Sequence, residues 1–108
     1  MTNRNEITLN KLWEIKDKEL LNLIIGREGG ETTTLIIDKI LAEPYNKNQL
    51  SNTLKLDYNT ITHHLKIMKN HDYVMEIKFE NIKFYYPSDK LIKSLKEYYI
   101  IKEHMKKQ

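Results

Sequence analysis

The sequence contains no cysteine, and its 108 residues include only three glycines and two prolines. The absence of cysteine excludes disulfide bonds, thiolate metal sites and cysteine nucleophiles. The glycines are Gly26, Gly29 and Gly30, and they match neither of the glycine-rich patterns that bind nucleotide phosphates. Two large classes of enzyme are therefore excluded.

Long hydrophobic runs are also missing from the sequence. The longest apolar stretches, at residues 23–25 and 35–37, are far shorter than the ~20 residues that a membrane-spanning helix needs. Residues 1–6 lack the apolar segment of a secretory signal. With 40% hydrophobic and 31% charged residues, the sequence predicts a single domain over residues 1–108, cytoplasmic and without membrane association.

Positive charge is concentrated in the second part of the chain. Residues 1–45 contain six Lys/Arg and eight Asp/Glu, whereas residues 46–108 contain twelve Lys/Arg and seven Asp/Glu. A basic region in a small protein is typical of a surface that binds a polyanion, although a lysine-rich surface that only aids solubility gives the same count.

Apolar residues at helical spacing predict four helices in the first two thirds of the chain. They cover about residues 17–25, 31–43, 47–54 and 58–70. Asn46 and Asp57 are suitable N-caps for the third and fourth helices, and residues 55–57 form a tight turn between them. A short helix, a turn and a longer amphipathic helix indicate a helix-turn-helix.

The pattern changes after Asp72 to β-branched and aromatic residues that partly alternate with polar ones. It predicts a β-hairpin over about residues 74–86, with Glu80 and Asn81 at its tip. Ser88 then caps one long final helix that ends near Lys106. The predicted fold is mainly α with a small hairpin, a winged helix-turn-helix with an N-terminal helix and a long C-terminal helix.

In this fold the second helix of the pair enters the DNA major groove and the hairpin, or wing, lies along the phosphates. With Ile61, Leu65 and Met68 turned inward, the opposite face of residues 58–70 has no carboxylate after Asp57. We therefore predict that this face and the wing bind DNA. The predicted DNA-binding residues are Tyr58, Asn59, Thr62, His63, Lys66, Lys69, Lys78, Asn81 and Lys83.

Residues 50–70, LSNTLKLDYNTITHHLKIMKN, resemble the ArsR-type winged-helix transcriptional regulators. The run from Tyr58 to Leu65 is most similar to the archaeal subgroup, whose recognition helices contain Tyr-x-Thr-Val-x-His-His-Leu. The similarity covers about residues 28–88 and implies a winged-helix core there, DNA binding and dimerisation.

The sequence also departs from that family. Asp72 stands where the family has a glycine with positive φ, a conformation that Asp adopts at some strain. Asn46 and Asn48 occupy the positions of the Cys-x-Cys pair of thiolate-sensing members, and Glu103-His104 does not match the zinc-sensing pattern. The resemblance therefore implies no particular effector, and no metal or other cofactor is expected.

The histidines do not form a metal site by their spacing. His63 and His64 are adjacent and point ~100° apart on a helix, while His64 and His71 are ~10 Å apart along it. We interpret His64 as a scaffold residue at the edge of the core and His63 as a DNA contact, with simple exposure as its alternative. Lys78 and Lys83 are read as phosphate contacts, although lysines also protect edge strands.

The two flanking segments, residues 17–26 and 88–107, are predicted to form a homodimer. Residues 98–101, Tyr-Tyr-Ile-Ile, place large side chains on nearly every side of one helical turn, which must be covered from more than one direction, in a dimer or within the domain. The predicted interface consists of Leu20, Leu21, Ile24, Leu95, Tyr98, Tyr99, Ile101 and Met105. Residues 1–15 have no clear pattern, and Trp13 either anchors a helix or covers the dimer.

The sequence thus predicts a sequence-specific regulator of transcription that binds double-stranded DNA and is not an enzyme. The alternative is a winged-helix module that binds another protein within a larger complex, because this fold has several functions. Exposed apolar residues on the outer face of residues 58–69 would favour the alternative. A hydrolase is not supported, since no nucleophile and base have a suitable spacing.

Overall fold

The structure is a computed structural model and describes residues 12–106. Six helices and two strands are assigned within this range. They are α1 (Lys18–Ile24), α2 (Gly30–Ala42), α3 (Lys47–Leu54), α4 (Tyr58–Asn70), β1 (Val74–Phe79), β2 (Ile82–Pro87), α5 (Asp89–Lys93) and α6 (Leu95–Lys106). The order confirms a mainly helical winged helix-turn-helix with a small hairpin, and the limits of α3 and α4 are those predicted.

The predicted capping residues hold the helix-turn-helix. The Asn46 side chain accepts a hydrogen bond from the Gln49 backbone N–H, and the Gln49 side chain accepts one from Asn46. Lys55 ends α3 in the left-handed region at φ 56°, and the Ser51 hydroxyl donates to the Leu56 carbonyl across the turn. The direction of α4 is therefore set by local hydrogen bonds.

The hairpin has the predicted two-residue tip. Strands β1 and β2 pair antiparallel from Val74↔Pro87 to Phe79↔Ile82, and Glu80 and Asn81 both have positive φ, as a type I′ turn requires. Asp72, before β1, also has positive φ, at 64°, in agreement with the glycine position inferred from the sequence.

A core of apolar side chains joins all the helices to the base of the hairpin. Ile61 and Met68 of α4 are fully buried, as predicted, and so are Leu50 of α3 and Tyr73 before β1. Ile15 is buried too, whereas Trp13 is 82% exposed. Trp13 therefore does not anchor its segment to the core. Within residues 12–106, no helix combines the length and apolar character needed to cross a membrane.

The C-terminal segment corrects one prediction. The expected single helix from residue 88 to 106 is divided at Ser94 into α5 and α6. The Ser94 hydroxyl donates to Asp17 Oδ2 at 2.7 Å, and Glu97 in the next turn accepts from the backbone N–H groups of Lys16 and Asp17. These bonds join residues 77 to 81 positions apart, so helical spacing alone does not reveal the break.

Four residues assigned to the dimer interface lie instead in the core of the single chain. Leu20, Tyr98 and Ile101 have no exposed surface, and Ile24 is 2% exposed. The Tyr98 hydroxyl donates to Asp38 Oδ1 and lies within hydrogen-bonding distance of the Thr34 carbonyl. Because α6 packs on α1, these side chains are already covered and present no surface to a partner.

Candidate nucleic-acid interface

Helix α4 presents its polar side to solvent because its apolar residues point inward. Ile61, Leu65 and Met68 are at most 2% exposed. On the other side Tyr58, Asn59, His63, Lys66 and Lys69 are exposed. The orientation predicted for α4 is confirmed. Tyr58, one of the predicted DNA-binding residues, is the only large hydrophobic side chain exposed on this helix.

A groove runs between α4, the hairpin and the start of α3. Two adjoining cavities form it, the larger of about 370 Å³, and both are lined by Lys47, Lys83 and Tyr85. We call it the cationic groove because five lysines line it. The charged residues of its lining are Lys47, Lys66, Lys69, Lys78, Lys83 and Glu76.

The structure brings most of the predicted DNA-binding residues to this groove. Its lining includes Tyr58, Thr62, Lys66, Lys69, Lys78, Asn81 and Lys83. Asn59 and His63 do not line it, and both are exposed elsewhere on the outer face of α4. The nine residues thus occupy one helix face and the adjoining groove.

The outer face of α4 has no carboxylate after Asp57, as predicted, but Glu76 of strand β1 lies in the groove beside it. Its Oε1 lies 2.7 Å from the Lys69 ammonium and 3.9 Å from that of Lys83. The hydrogen bond from Lys69 keeps the pKa of Glu76 below its ordinary value, so the carboxylate is charged at neutral pH. Helix α4 itself has no acidic residue beside Lys69, but strand β1 places the Glu76 carboxylate next to the C-terminal end of α4.

The other lysines outweigh this single carboxylate. Among the described residues, neither Lys66 nor Lys78 has a carboxylate within ion-pair distance. Lys47, which lines both cavities, places its ammonium 5.8 Å from the centre of the Tyr58 ring. The groove therefore keeps a strong positive potential, strongest away from Glu76.

Thr62 differs from its predicted orientation. Its side chain lines the groove, but its hydroxyl oxygen is buried and has no hydrogen-bond partner among the described residues. A base edge in front of the helix does not reach a hydroxyl below the surface. Thr62 is therefore part of the groove wall.

Sequence reasoning missed Asn46, Lys47 and Asn48, which line the groove from the start of α3. The signal was present, since Asn46 was identified as the N-cap of α3. A helix N-terminus carries partial positive charge and unpaired N–H groups that attract phosphate. The position of this N-terminus beside the wing follows from the tertiary fold.

Tyr85 fixes the wing next to α3. Its backbone N–H donates to the Tyr45 carbonyl at 2.8 Å, and the Tyr45 N–H donates back at 3.2 Å. Its ring is 3% exposed, and this burial, together with the Glu76 carboxylate, raises the pKa of Tyr85 to about 12. The base of the wing is thus fastened to the segment that leads into α3.

His64 has the predicted role of a scaffold residue at the edge of the core. It is 6% exposed, and its Nδ1 lies 3.3 Å from the Thr33 hydroxyl, which accepts a hydrogen bond from Arg27. Burial, and then the nearby Arg27 charge, lower the pKa of His64. Gly29, at φ 86°, is needed beside it because a Cβ there would come within 2.8 Å of the imidazole.

The side chains of the groove are suited to binding an anion. Within residues 12–106, no group of three His, Asp or Glu side chains could hold a metal ion. The groove contains cations, amides and hydroxyls, the groups that contact phosphate oxygens in protein–DNA complexes.

Solved structures with the same fold are winged-helix transcriptional regulators. The regulator BldR from Sulfolobus solfataricus aligns with a TM-score of 0.66 and 18% identity, over 97% of this chain and 82% of that one. The homodimeric winged helix-turn-helix DNA-binding domain of Mb0332 from Mycobacterium bovis, a possible ArsR-family regulator, aligns with a TM-score of 0.62 and 12% identity, over 100% of this chain and 94% of that one. HlyU from Vibrio vulnificus aligns with a TM-score of 0.61 and 16% identity, over 81% and 88% of the two chains. No protein-family model and no curated protein matches the sequence.

Proposed function

We propose that the protein binds double-stranded DNA and regulates transcription. The observation that carries this proposal is the cationic groove, in which five lysines and one carboxylate line a cleft beside the exposed face of α4. Such an excess of positive charge, next to a helix narrow enough for the major groove, fits a polyanion with a regular helical surface.

Helix α4 supplies the base contacts in this proposal. Tyr58, Asn59 and His63 lie on the exposed face of its first two turns and offer hydroxyl, amide and imidazole groups to base edges. Thr62 is reassigned from base reading to the groove wall because its hydroxyl is buried.

The lysines of the groove bind the phosphates on either side of the inserted helix. Lys66 and Lys69 follow from α4, while Lys78, Asn81 and Lys83 reach from the wing. The N-terminus of α3, with Asn46 and Lys47, adds a phosphate contact between them. Contacts of this kind set affinity and orientation without reading sequence.

We further propose a homodimer formed by the flanking helices, with a smaller interface than the sequence predicted. Of the eight interface residues, Leu21, Leu95, Tyr99 and Met105 keep exposed surface, and Tyr99 is 51% exposed. The exposed Trp13 belongs with them, since large aromatic side chains are enriched at interfaces. A two-fold dimer presents two α4 helices about 34 Å apart, matching successive major grooves.

The sequence from Tyr58 to Leu65 supports a place in the archaeal subgroup of ArsR-like regulators. Binding to the chromosome supports a cytoplasmic location.

The alternative, a module that binds another protein through α4, is disfavoured because the outer face of α4 is polar and basic. An enzymatic role is disfavoured by the regulators that share the fold.

Selection of bound duplexes from a random pool tests the proposal. We expect enrichment of a sequence whose two half-sites form a palindrome with centres about 10–11 base pairs apart. The matched control is a Tyr58→Ala/Asn59→Ala/His63→Ala variant, which should bind DNA with little sequence preference. Absence of any enriched sequence would contradict specific recognition, and a single non-palindromic half-site would contradict the dimer.

A further inference from the structure

The wing has two chemically different faces. On one face lie Glu76, Lys78, Lys83 and Tyr85, toward the cationic groove. The other face is entirely apolar, and much of it is exposed, with Ile77 56% and Phe79 64% exposed. The residues of this apolar wing face are Met75, Ile77, Phe79, Ile82, Phe84 and Tyr86, of which Ile82, next to the tip, also lines the groove.

Strand β1 is also an edge strand whose outer side is unpaired in the described chain. The sheet contains only β1 and β2, and Tyr45 bridges to β2 on the side away from β1. Because Tyr85 directs its N–H and C=O to Tyr45, its opposite residue, Glu76, belongs to a pair without hydrogen bonds between β1 and β2. The backbone groups of Glu76 and Lys78 therefore point outward from β1.

The sequence of this edge is complementary to itself in one register. When two β1 strands pair antiparallel about a two-fold axis at Ile77, Glu76 faces Lys78 of the second copy and Lys78 faces its Glu76. On the other face, Met75 meets Phe79 and Ile77 meets Ile77. Axes at Glu76 or at Lys78 oppose like charges, and like charges directly opposite are unfavourable.

We propose that the wings of two copies pair through their β1 edges in this register, forming a continuous four-stranded sheet. The paired wings present Lys78 and Lys83 of both copies on one cationic face, and they bring the two apolar wing faces side by side. This pairing rests on the proposed DNA binding, because the two wings come from two dimers that are bound to adjacent sites on one DNA molecule. Two such short strands bury less area than the about 1,200 Å² typical of a stable complex. Pairing is therefore weak in solution and strong when DNA holds the wings together.

Cysteine cross-linking tests the register directly because the chain has no cysteine of its own. Residues that oppose each other without backbone hydrogen bonds have Cα atoms about 4.5 Å apart, within the range of a disulfide. Ile77→Cys places two cysteines across the axis. In a pair of Met75→Cys chains the two cysteines are about 13 Å apart along the strands. In a mixture of Met75→Cys and Phe79→Cys chains, a cysteine of one chain lies directly opposite a cysteine of the other.

We expect Ile77→Cys, and the Met75→Cys and Phe79→Cys mixture, to form a disulfide at least about tenfold faster than Met75→Cys or Phe79→Cys alone. A long duplex with adjacent sites should accelerate the reaction further, and a short duplex with one site should not. Equal rates for Met75→Cys alone and Ile77→Cys, or no disulfide with either, overturn the pairing. If the proteins bind DNA normally but lack this pattern, only the pairing fails. If the pattern persists without DNA binding, only the proposed function fails.

Discussion

The two ends of the molecule use their charges differently. At the end formed by α1, α5 and α6, several charges are paired within the fold, with Glu19 between Lys90 and His71 and Asp38 between Tyr98 and Lys102. In the cationic groove five lysines share one carboxylate. These pairs at the first end hold helices together, whereas most lysines of the groove are left for a partner of opposite charge.

The largest effect on stability is expected at Asp17, at the centre of the paired end. Its carboxylate accepts hydrogen bonds from the Tyr73 and Ser94 hydroxyls and caps α1 through the Leu20 N–H. Replacement by Ala leaves these donors unpaired and should lower the free energy of unfolding by about 2–3 kcal/mol. Urea denaturation measures this loss, with the exposed Glu28→Ala as control. A loss below about 0.5 kcal/mol would contradict the structural role of this carboxylate.

Replacing Glu76, the one acidic residue that lines the groove, should make the groove more positive and increase its affinity for DNA. Glu76→Gln releases Lys69 and Lys83 from the carboxylate and should raise affinity for a single-site duplex by about three- to tenfold in 0.1 M salt. Fluorescence anisotropy measures the change, and the exposed Glu43→Gln is the control. Weaker binding by Glu76→Gln would show that the ion pairs position the lysines and do not oppose the phosphates.

The sequence predicted the local features of the fold better than its tertiary contacts. The capping residues Asn46 and Asp57, the tip at Glu80 and Asn81 and the inward stripe of α4 are local patterns, and the structure confirms them. The break at Ser94 depends on a contact with Asp17, 77 positions away, and the approach of Glu76 to Lys69 depends on how β1 turns back beside the end of α4. Periodicity does not contain that information.

The same reason explains why four of the residues predicted for the dimer interface lie in the core of one chain. Apolar spacing identifies side chains that need cover, but it does not say whether the same chain or a second chain covers them. Leu20, Ile24, Tyr98 and Ile101 are covered within one chain, where α6 packs on α1. Only the exposure of each side chain in the folded structure shows whether it is covered within its own chain or is available to a second chain.

His64 predicts a pH dependence at the junction of α2 and α4. Its pKa is lowered in the folded state, so the unfolded chain binds a proton more readily. The contribution to stability is therefore complete above about pH 6.5 and is lost as the pH falls from there through the lowered pKa. Urea midpoints at pH 7.5 and 5.0 should show a larger decrease for the protein than for its His64→Gln variant. An equal decrease in both would assign the effect to other groups.

A smaller effect is expected at Asp72, whose positive φ strains a residue with a side chain. Asp72→Gly should raise the free energy of unfolding by about 0.5–1 kcal/mol without changing DNA affinity. Thermal denaturation measures the gain, and Asp89→Gly, in the first turn of α5, should be destabilising. A destabilised Asp72→Gly variant would mean that the carboxylate has a compensating role.

The central claim, that the unpaired lysines of the groove bind DNA phosphates, is tested most directly by the salt dependence of duplex binding. The slope of log K against log[salt] for the protein should exceed that for Lys66→Ala by about one unit, with affinity falling by about five- to tenfold at 0.1 M salt. Lys93→Ala, at the opposite end, should leave slope and affinity unchanged. Identical slopes for the protein and Lys66→Ala, or no duplex binding at low salt, would contradict the account.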